Sequence, residues 1–292
     1  MKIRWKINLA MCAAFLAGLV LAGASAYEIV TKNAVEDALQ NARIMIEAAS
    51  AIRSYTAQSI KPLLEQQMKV QFLPDSIPSF AAQTNLKMVK AKLPEYTYRE
   101  PTLNPTNIGD RAVDWEADII NDFRNDANKR ETVITRDTAG GRFLILARPL
   151  KVGSQTCLSC HSTAENAPAT LVALYGAQNG FGWKLGDVVG AQVVSIPLAV
   201  PLDRAYQALF WFMVALGGTF LVILIVVDLL LRFLVVKPVV EISEMANSVS
   251  MGKLDTPEYV RQTNDEIGTL SMSFNRMRRS LQNAMKMLDE QS

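Results

Sequence analysis

Two cysteines and a histidine lie within residues 157–161, at a spacing that suits attachment of a cofactor. Cys157 and Cys160 are separated by two residues, and His161 follows directly. Two thiols at this spacing can add to the vinyl groups of one porphyrin, and the next residue is then held near the iron as an axial imidazole ligand. The pattern therefore predicts one covalently attached haem c at Cys157-Leu158-Ser159-Cys160-His161.

The same cysteines also fit a redox-active dithiol, a structural disulfide or half of a zinc site. A dithiol does not need the adjacent histidine, and zinc needs further ligands. His161 is the one histidine in the sequence, and the remaining cysteine, Cys12, lies in an apolar stretch near the N-terminus. The residues therefore favour haem over these alternatives.

The single histidine also limits the ligand on the far side of the iron. Residues 27–208 contain no second histidine and no third cysteine. The sixth position of the iron is therefore left to Met, to a weaker donor such as Tyr or Lys, to water, or to no ligand. The methionines there are Met45, Met68 and Met88. We expect Met45, since its helical stripe would pack against the sheet, with simple core packing as the alternative. A Met ligand would raise the reduction potential, whereas an open position would admit gases or peroxide.

Other side chains are candidates for porphyrin contacts. The basic residues that could pair with the haem propionates are Arg53, Arg148 and Lys151. The alternative for each is a solvated position on the surface. Those that fit the porphyrin face, with ordinary core packing as the alternative, are Tyr55, Tyr175 and Trp183.

Composition indicates a membrane protein. Hydrophobic residues make up 50% of the 292, and the mean hydropathy of +0.13 is high for a soluble protein. The net charge of +2, without a run of basic residues, gives no indication of nucleic-acid binding. Two apolar stretches, residues 7–26 and 209–227, are long enough to cross a hydrocarbon core of about 30 Å as helices that rise about 1.5 Å per residue. With its boundary residues, the second transmembrane helix is expected over 209–232.

The first stretch has two interpretations. The basic residues Lys2, Arg4 and Lys6 before it and Ala24-Ser25-Ala26 at its end are typical of a cleaved secretory signal. Its length, and the helical pattern that continues beyond it, favour a retained membrane anchor.

Flanking charge predicts the orientation of a protein with two retained spans. Basic residues in 1–6, and Arg232 and Lys237 after the second apolar stretch, place both ends of the chain in the cytoplasm. Residues 27–208 then form a periplasmic domain on the inner (cytoplasmic) membrane. An acid at a membrane boundary can be functional, but for Asp228 we expect an ion pair with Arg232, four residues later.

Helix and strand patterns follow one another in residues 27–208. Apolar residues at alternating steps of three and four predict a long helix to near Pro62, suited to packing on the same helix of a second subunit. The stripe consists of Val35, Ala38, Ala42, Met45, Ala49, Ile52, Thr56, Ile60 and Leu63. Residues 74–105 contain five prolines and predict loops with short helices.

Later residues predict a small antiparallel sheet. A hairpin is expected from residues 131–135 and 142–147 around a glycine turn, with further strands at 170–175 and 188–196 and a helix at 115–123. These elements predict an α+β domain with a long N-terminal helix.

Residues 233–288 resemble the HAMP signal-relay module. The resemblance is carried by Pro238, by Gly252 between two helical patterns, and by Asp265-Glu266-Ile267-Gly268 and Ser273-Phe274-Asn275-Arg276-Met277. Such modules are parallel four-helix bundles made by two chains, which implies a homodimer and leaves 289–292 as a tail. The apolar seam of the bundle would contain Ile242, Met245, Val249, Ile267, Leu270, Phe274, Met277 and Leu281.

Residues 30–198 resemble the c-type haem PAS-like sensor domains of bacterial receptors. The matching segments are residues 48–56, 102–107, Trp115-Glu116, 157–161, 175–184 and 190–192. The resemblance implies a PAS-like fold, a covalent haem on Cys157 and Cys160, and His161 as one axial ligand. Where a family member uses cysteine as the opposite ligand this chain has none, so the sixth ligand does not carry over.

Together these features predict a sensor rather than an enzyme. It would detect redox state or a small ligand in the periplasm and signal through the second span and the HAMP-like helices to a separate cytoplasmic output protein. The sequence ends at Ser292 without a kinase, cyclase or methyl-accepting region, so a truncated receptor is also possible. A membrane-anchored electron-transfer cytochrome is the main alternative function. A peroxidase is disfavoured, because there is no distal histidine.

Overall fold

The structure, a computed structural model, describes residues 3–253, 255, 257–260 and 264–289. Lys2, Leu254 and residues 290–292 of the expected tail therefore lie outside the described residues. The chain forms two compact units, residues 27–208 and residues 1–26 with 209–292.

Helix α1 extends over Ile3–Tyr55, so the helical pattern does continue past the first apolar stretch. The side chains that it buries are Ala34, Ala38, Ala42, Ile46 and Ala49. A π-helical turn (Thr56–Ile60) and helix α2 (Lys61–Met68) follow. The apolar stripe expected from the sequence does not continue into α2, where Leu63 is 78% exposed. The π-helical turn holds more residues than an α-helical turn, so the helix faces before and after it differ.

Four strands form an antiparallel sheet: β1 (Thr97–Arg99), β2 (Thr132–Thr138), β3 (Gly141–Lys151) and β4 (Val188–Pro197). Their order is β1-β4-β3-β2. The expected hairpin is confirmed, with Thr138 opposite Gly141. Gly141 has φ +105°, a conformation that glycine adopts without strain.

Alternate residues of β3 point to opposite faces of the sheet, and a helix covers each face. Leu144 and Leu146 pack with the buried residues of α1. Ile145 and Ala147 pack with helix α4 (Asp114–Asn125), which confirms the helix expected at 115–123. The domain is therefore α+β, as the sequence predicted.

Two expectations about local structure are wrong. Residues 170–175 form helix α6 (Ala169–Tyr175) instead of a strand. The Pro168 carbonyl accepts the N–H groups of Leu171 and Val172, so a helical turn begins there despite the β-branched residues. In 74–105, helix α3 (Pro78–Lys92) is longer than expected. Its proline lies in the first turn, where the missing N–H is tolerated.

Helix α7 (Ala199–Leu230) enters the second unit at residue 209. A π-helical segment (Leu231–Val236), helix α8 (Lys237–Ser250) and helix α9 (Glu266–Asp289) follow in that unit. By length and composition, the helical stretches Arg4–Met68 and Ala199–Ser250 are suited to crossing a membrane.

The α8–α9 pair buries part of the expected apolar seam. Ile242, Val249 and Phe274 are buried together, with Met245 and Ile267 packed against them. The remaining seam residues, Leu270, Met277 and Leu281, are exposed on the single chain.

The partner expected for Asp228 is wrong. Its carboxylate bonds the Arg4 guanidinium through two nitrogens and accepts the Asn8 amide at 2.7 Å. A fork of two N–H donors matches a carboxylate better than one contact does. The Arg232 guanidinium lies 5.8 Å from the centroid of the Phe233 ring.

Candidate functional site

A cavity of about 950 Å³ lies within the 27–208 unit, and Cys157, Cys160 and His161 all line it. Natural ligand pockets usually measure about 300–1,000 Å³. Much of the remaining wall comes from α1, the π-helical turn, α2, α3, α6, the strands β1, β3 and β4, and the loop after β1. The three residues selected from the sequence therefore open onto one ligand-sized space.

The motif lies on a short helix, α5 (Gln155–His161). Residues three and four apart on a helix share a face, so Cys160 and His161 lie on the same side as Cys157. Both cysteines are half-buried free thiols. The helix thus presents two reactive sulfurs and an imidazole to the same cavity.

Three groups fix the imidazole of His161. Its Nδ1 lies 2.7 Å from the Gly180 carbonyl oxygen and 3.5 Å from Thr106 Oγ1. Its ring stacks on Trp183, with centroids 3.9 Å apart and planes 13° from parallel. Because a carbonyl oxygen only accepts hydrogen bonds, Nδ1 is the protonated nitrogen and Nε2 keeps its lone pair for another partner.

The surroundings of His161 also favour its neutral form. Burial lowers the pKa of the imidazole, the hydrogen bond to Gly180 acts in the opposite direction, and the positive charge of Lys61 lowers the pKa further. A neutral imidazole with a free Nε2 is the form that binds a metal ion.

Gly180 has a conformation and a packing that exclude a side chain. Its φ is +86°, and a Cβ there would lie 2.0 Å from Thr106 Oγ1 and 2.9 Å from the Thr106 Cα. Gly180→Ala should therefore destabilise the 162–183 segment by more than the about 1–3 kcal/mol that a strained φ alone costs. Native-state hydrogen exchange of the full chain would show this as about ten-fold or more faster exchange of the amides there.

Gly186→Ala is the matched control for this prediction. Gly186 also has a positive φ, +90°, but no atom lies within 4 Å of an added Cβ. If both variants accelerated exchange equally, the contact with Thr106 would have no part in holding the loop that carries the Gly180 carbonyl.

Basic residues outnumber acidic ones around the cavity. The basic lining residues are Arg53, Lys61, Lys87, Lys90, Arg99 and Lys151, and the acidic ones are Glu100 and Asp110. Arg99 also bonds the buried Glu116, outside the lining, at 3.1 Å. The cavity therefore suits a ligand that carries carboxylate groups.

Glu100 is a buried carboxylate in this wall, and its side chain is 1% exposed. It forms an ion pair with Arg53 and accepts hydrogen bonds from the Tyr98 hydroxyl at 2.6 Å and from Ser79 Oγ at 2.7 Å. Burial raises the pKa of Tyr98, and the negative charge of Glu100 raises it further. Tyr98 thus stays protonated and acts as a hydrogen-bond donor to the carboxylate.

Asp110, the other acid of the wall, gives the fold a pH dependence. Burial raises its pKa above the ordinary value, although the bond from Gln83, the charge of Arg99 and the bond from Asn107 oppose this. The folded chain therefore holds this proton more tightly than the unfolded chain, and stability decreases as pH rises through the raised pKa. Thermal melting between about pH 4 and pH 7 should show a smaller decrease for Asp110→Asn than for wild type. An unchanged decrease would contradict this assignment.

The structure separates the other candidates into two groups. Arg53, Lys151, Tyr175 and Trp183 line the cavity. Arg148, in contrast, bonds Glu47 at 2.6 Å and Glu131 at 3.1 Å. Tyr55 is 61% exposed and lines a separate crevice.

None of the three candidate methionines is among the described residues that line the cavity. Met45 packs between two core clusters, which matches the core role that the sequence also allowed. The Met68 sulfur accepts hydrogen bonds from the Leu73 amide and the Ser76 hydroxyl, and Met88 is exposed. Met45 as the sixth ligand stays a prediction without a supporting contact.

Sequence reasoning did not assign a role to several residues of this site. Thr106 and Gly180 hold His161, and both lie in segments that carried the sensor-domain resemblance, so a signal for them was present. Glu100 and Tyr98 gave no such signal, because a charged residue next to a short strand is usually solvated.

Comparison with known proteins identifies both parts of the chain. A family model described as Tll0287-like matches residues 31–197, and a HAMP domain model matches residues 230–283. A crystal structure of the cyanobacterial haem protein Tll0287 aligns with 18% identity and a TM-score of 0.44, over 55% of this chain and 95% of that chain. A search of curated proteins gave no match.

The HAMP resemblance seen in the sequence is confirmed, and two membrane-capable helices with a HAMP domain indicate a membrane-anchored signalling protein. The Tll0287-like match covers more than half of the residues. The chain therefore belongs to the Tll0287-like family.

Proposed function

We propose that this protein is a membrane-anchored haem sensor. One haem c would be bonded to Cys157 and Cys160, with His161 as an axial ligand to the iron. The observation that carries the proposal is that these three side chains line one cavity of about 950 Å³. A redox dithiol or a disulfide would leave both the cavity and the imidazole without a role.

The residues present fit this group in three respects. The free thiols of Cys157 and Cys160 share a helix face with the imidazole, whose Nε2 keeps its lone pair. Arg53, Lys61 and the other basic residues of the lining would pair with the propionates. When bound, the haem supplies an iron that changes its charge by one electron and can take up a small ligand.

Each of the positioning residues has a separate task. The Gly180 carbonyl accepts the Nδ1 proton of His161, which keeps Nε2 available and raises the basicity of the imidazole. Trp183 restricts rotation of the ring by stacking on it. Weaker donors among the lining residues, such as Lys61 and Tyr175, remain candidates for the sixth position beside Met45.

The HAMP domain favours signalling over electron transfer. Such a module has no use in a simple carrier, and the exposed Leu270, Met277 and Leu281 provide an apolar surface for a second copy of the chain. We propose a homodimer formed through the HAMP helices and the N-terminal helix, with a separate cytoplasmic output protein. The 27–208 unit would be a PAS-like periplasmic domain on the inner membrane, an orientation supported by the basic residues next to each span.

The function is tested by comparing the oxidised and reduced full chain in lipid nanodiscs by hydrogen exchange. A sensor should show a redox-dependent change in α8 and α9, whereas an electron carrier should show one near the haem only. A chain that lacks residues 239–292 should keep the haem spectrum. Identical exchange of α8 and α9 in both redox states, with haem present, would favour the electron carrier.

A further inference from the structure

The half-buried Tyr98 and the buried Glu100 contact both segments that continue into membrane-capable helices. Arg53, in α1, bonds Glu100, and Gln192, in β4, donates to the Tyr98 hydroxyl at 2.9 Å. The same amide lies 3.4 Å from Ser50 Oγ of α1, a longer contact. Tyr98 and Glu100 are themselves joined at 2.6 Å. Helix α1 contains the first apolar stretch, and β4 ends at Pro197, two positions before α7 begins.

The same pair forms part of the wall of the cavity. Arg53, Tyr98 and Glu100 line it together with Cys157, Cys160 and His161. The Arg53 side chain is 29% exposed, whereas that of Glu100 is 1% exposed. Arg53 is therefore accessible to a carboxylate or a charge in the cavity, and Glu100 competes with that group for the guanidinium.

The end of α1 continues into a π-helical turn that borders the cavity. The π-helical turn at Thr56–Ile60 begins three residues after Arg53, and its residues Ala57 and Gln58 line the cavity. Short π-helical turns within helices occur frequently at functional sites, because they add a residue that the α-helical hydrogen-bond pattern does not need. The buried side chains of α1 include the small residues Ala38, Ala42 and Ala49.

We propose that Arg53, Glu100 and Tyr98 form a relay that passes the state of the cavity to α1 and to β4. A change of charge in the cavity alters how Arg53 is shared with Glu100, and the Tyr98 hydroxyl passes the rearrangement to Gln192 and β4. The relay rests on the proposed haem, since it needs a group in the cavity that changes its charge.

Hydrogen exchange of the full chain in nanodiscs, oxidised with ferricyanide or reduced with dithionite, tests the relay. In wild type, reduction should change the exchange of residues 46–60 and 188–197 by about ten-fold. Glu100→Gln, which keeps the shape and a hydrogen-bond acceptor, should keep the haem spectrum but lose most of the difference in both segments. Tyr98→Phe keeps the Arg53–Glu100 pair and leaves Gln192 only its longer contact with Ser50. It should lose most of the difference in 188–197 and retain it in 46–60.

Glu116→Gln is the matched control. Glu116 is also a buried carboxylate bonded to an arginine of the cavity wall, but its described partners are Arg99 and the Val113 amide, outside α1. Arg99 lies in β1 opposite Val193 of β4, so the control applies to α1: this variant should retain the wild-type difference in 46–60.

The outcomes separate the relay from the haem proposal. A wild-type redox difference that persists in Glu100→Gln and Tyr98→Phe overturns the relay. If Glu100→Gln does not fold, Tyr98→Phe decides alone. The relay then predicts that the redox-dependent difference in exchange decreases in 188–197 but not in 46–60. Haem-loaded wild type without any difference in these segments also overturns the relay but leaves the haem assignment intact. If the wild-type chain carries no haem, that result overturns both the proposed function and the relay.

Discussion

His161→Ala is expected to leave the haem attached while removing the imidazole ligand from its iron. In the proposed site the bonds to the porphyrin would come from Cys157 and Cys160, so they would not depend on the histidine. The substitution opens a space between the Gly180 carbonyl and the Trp183 ring, the two groups that hold the imidazole in the wild-type chain. Free imidazole fits that space and provides the same donor atom.

Absorption spectra of oxidised and reduced protein give the measurement. The variant should lose the wild-type spectrum completely, and imidazole at about millimolar concentration should restore most of it. Ser159→Ala, at the exposed position of the same motif, should keep the wild-type spectrum. A His161→Ala spectrum identical to wild type would exclude His161 as a ligand.

Arg53→Met is expected to destabilise the 27–208 unit by about 3–5 kcal/mol, because it leaves the Glu100 carboxylate buried without its cation. Methionine has a similar length, so the loss reports mainly on charge. The double variant Arg53→Met/Glu100→Gln should recover much of this loss, since it removes the unpaired charge as well. The exchange rate of the slowest amides in β3 and β4 measures the stability of this unit in the full chain.

Arg142→Met is the control for this prediction. Arg142 bonds Asp137 at 2.9 Å, but their side chains are 64% and 75% exposed. Exposed pairs contribute only about 0–1 kcal/mol, so the two substitutions should differ by several kcal/mol. Equal effects would mean that the Arg53–Glu100 pair contributes no more than a surface contact.

The motif and the regular elements could be predicted from the sequence because their signals are local. Cys157, Cys160 and His161 are adjacent in the chain, and one short helix is enough to bring them together. The β2–β3 hairpin follows from alternating residues around a glycine turn. The HAMP helices follow from an apolar period and from Asp265, whose side chain accepts the Gly268 amide at 2.7 Å.

The remainder depends on contacts between distant parts of the chain. The expected pairing of Asp228 with Arg232 relied on spacing in one helix, whereas its partner Arg4 lies at the other end of the sequence. The sequence also allowed Arg148 as a propionate partner, but in the structure its guanidinium forms ion pairs with Glu47 and Glu131. The helical period placed Met45 on helix α1 but could not show that the cavity lies further along the chain, at the C-terminal end of that helix around Arg53 and Ala57.

The intact mass of the denatured full-length chain is the most direct test of the central claim. The chain should be made in cells that attach c-type haem, with an established c-type cytochrome produced beside it as the reference. The account predicts that wild type and Cys12→Ala are each heavier than the polypeptide by one haem, and that Cys157→Ala/Cys160→Ala has the mass of the polypeptide alone. A bare wild-type chain from cells in which the reference cytochrome is fully loaded would contradict it.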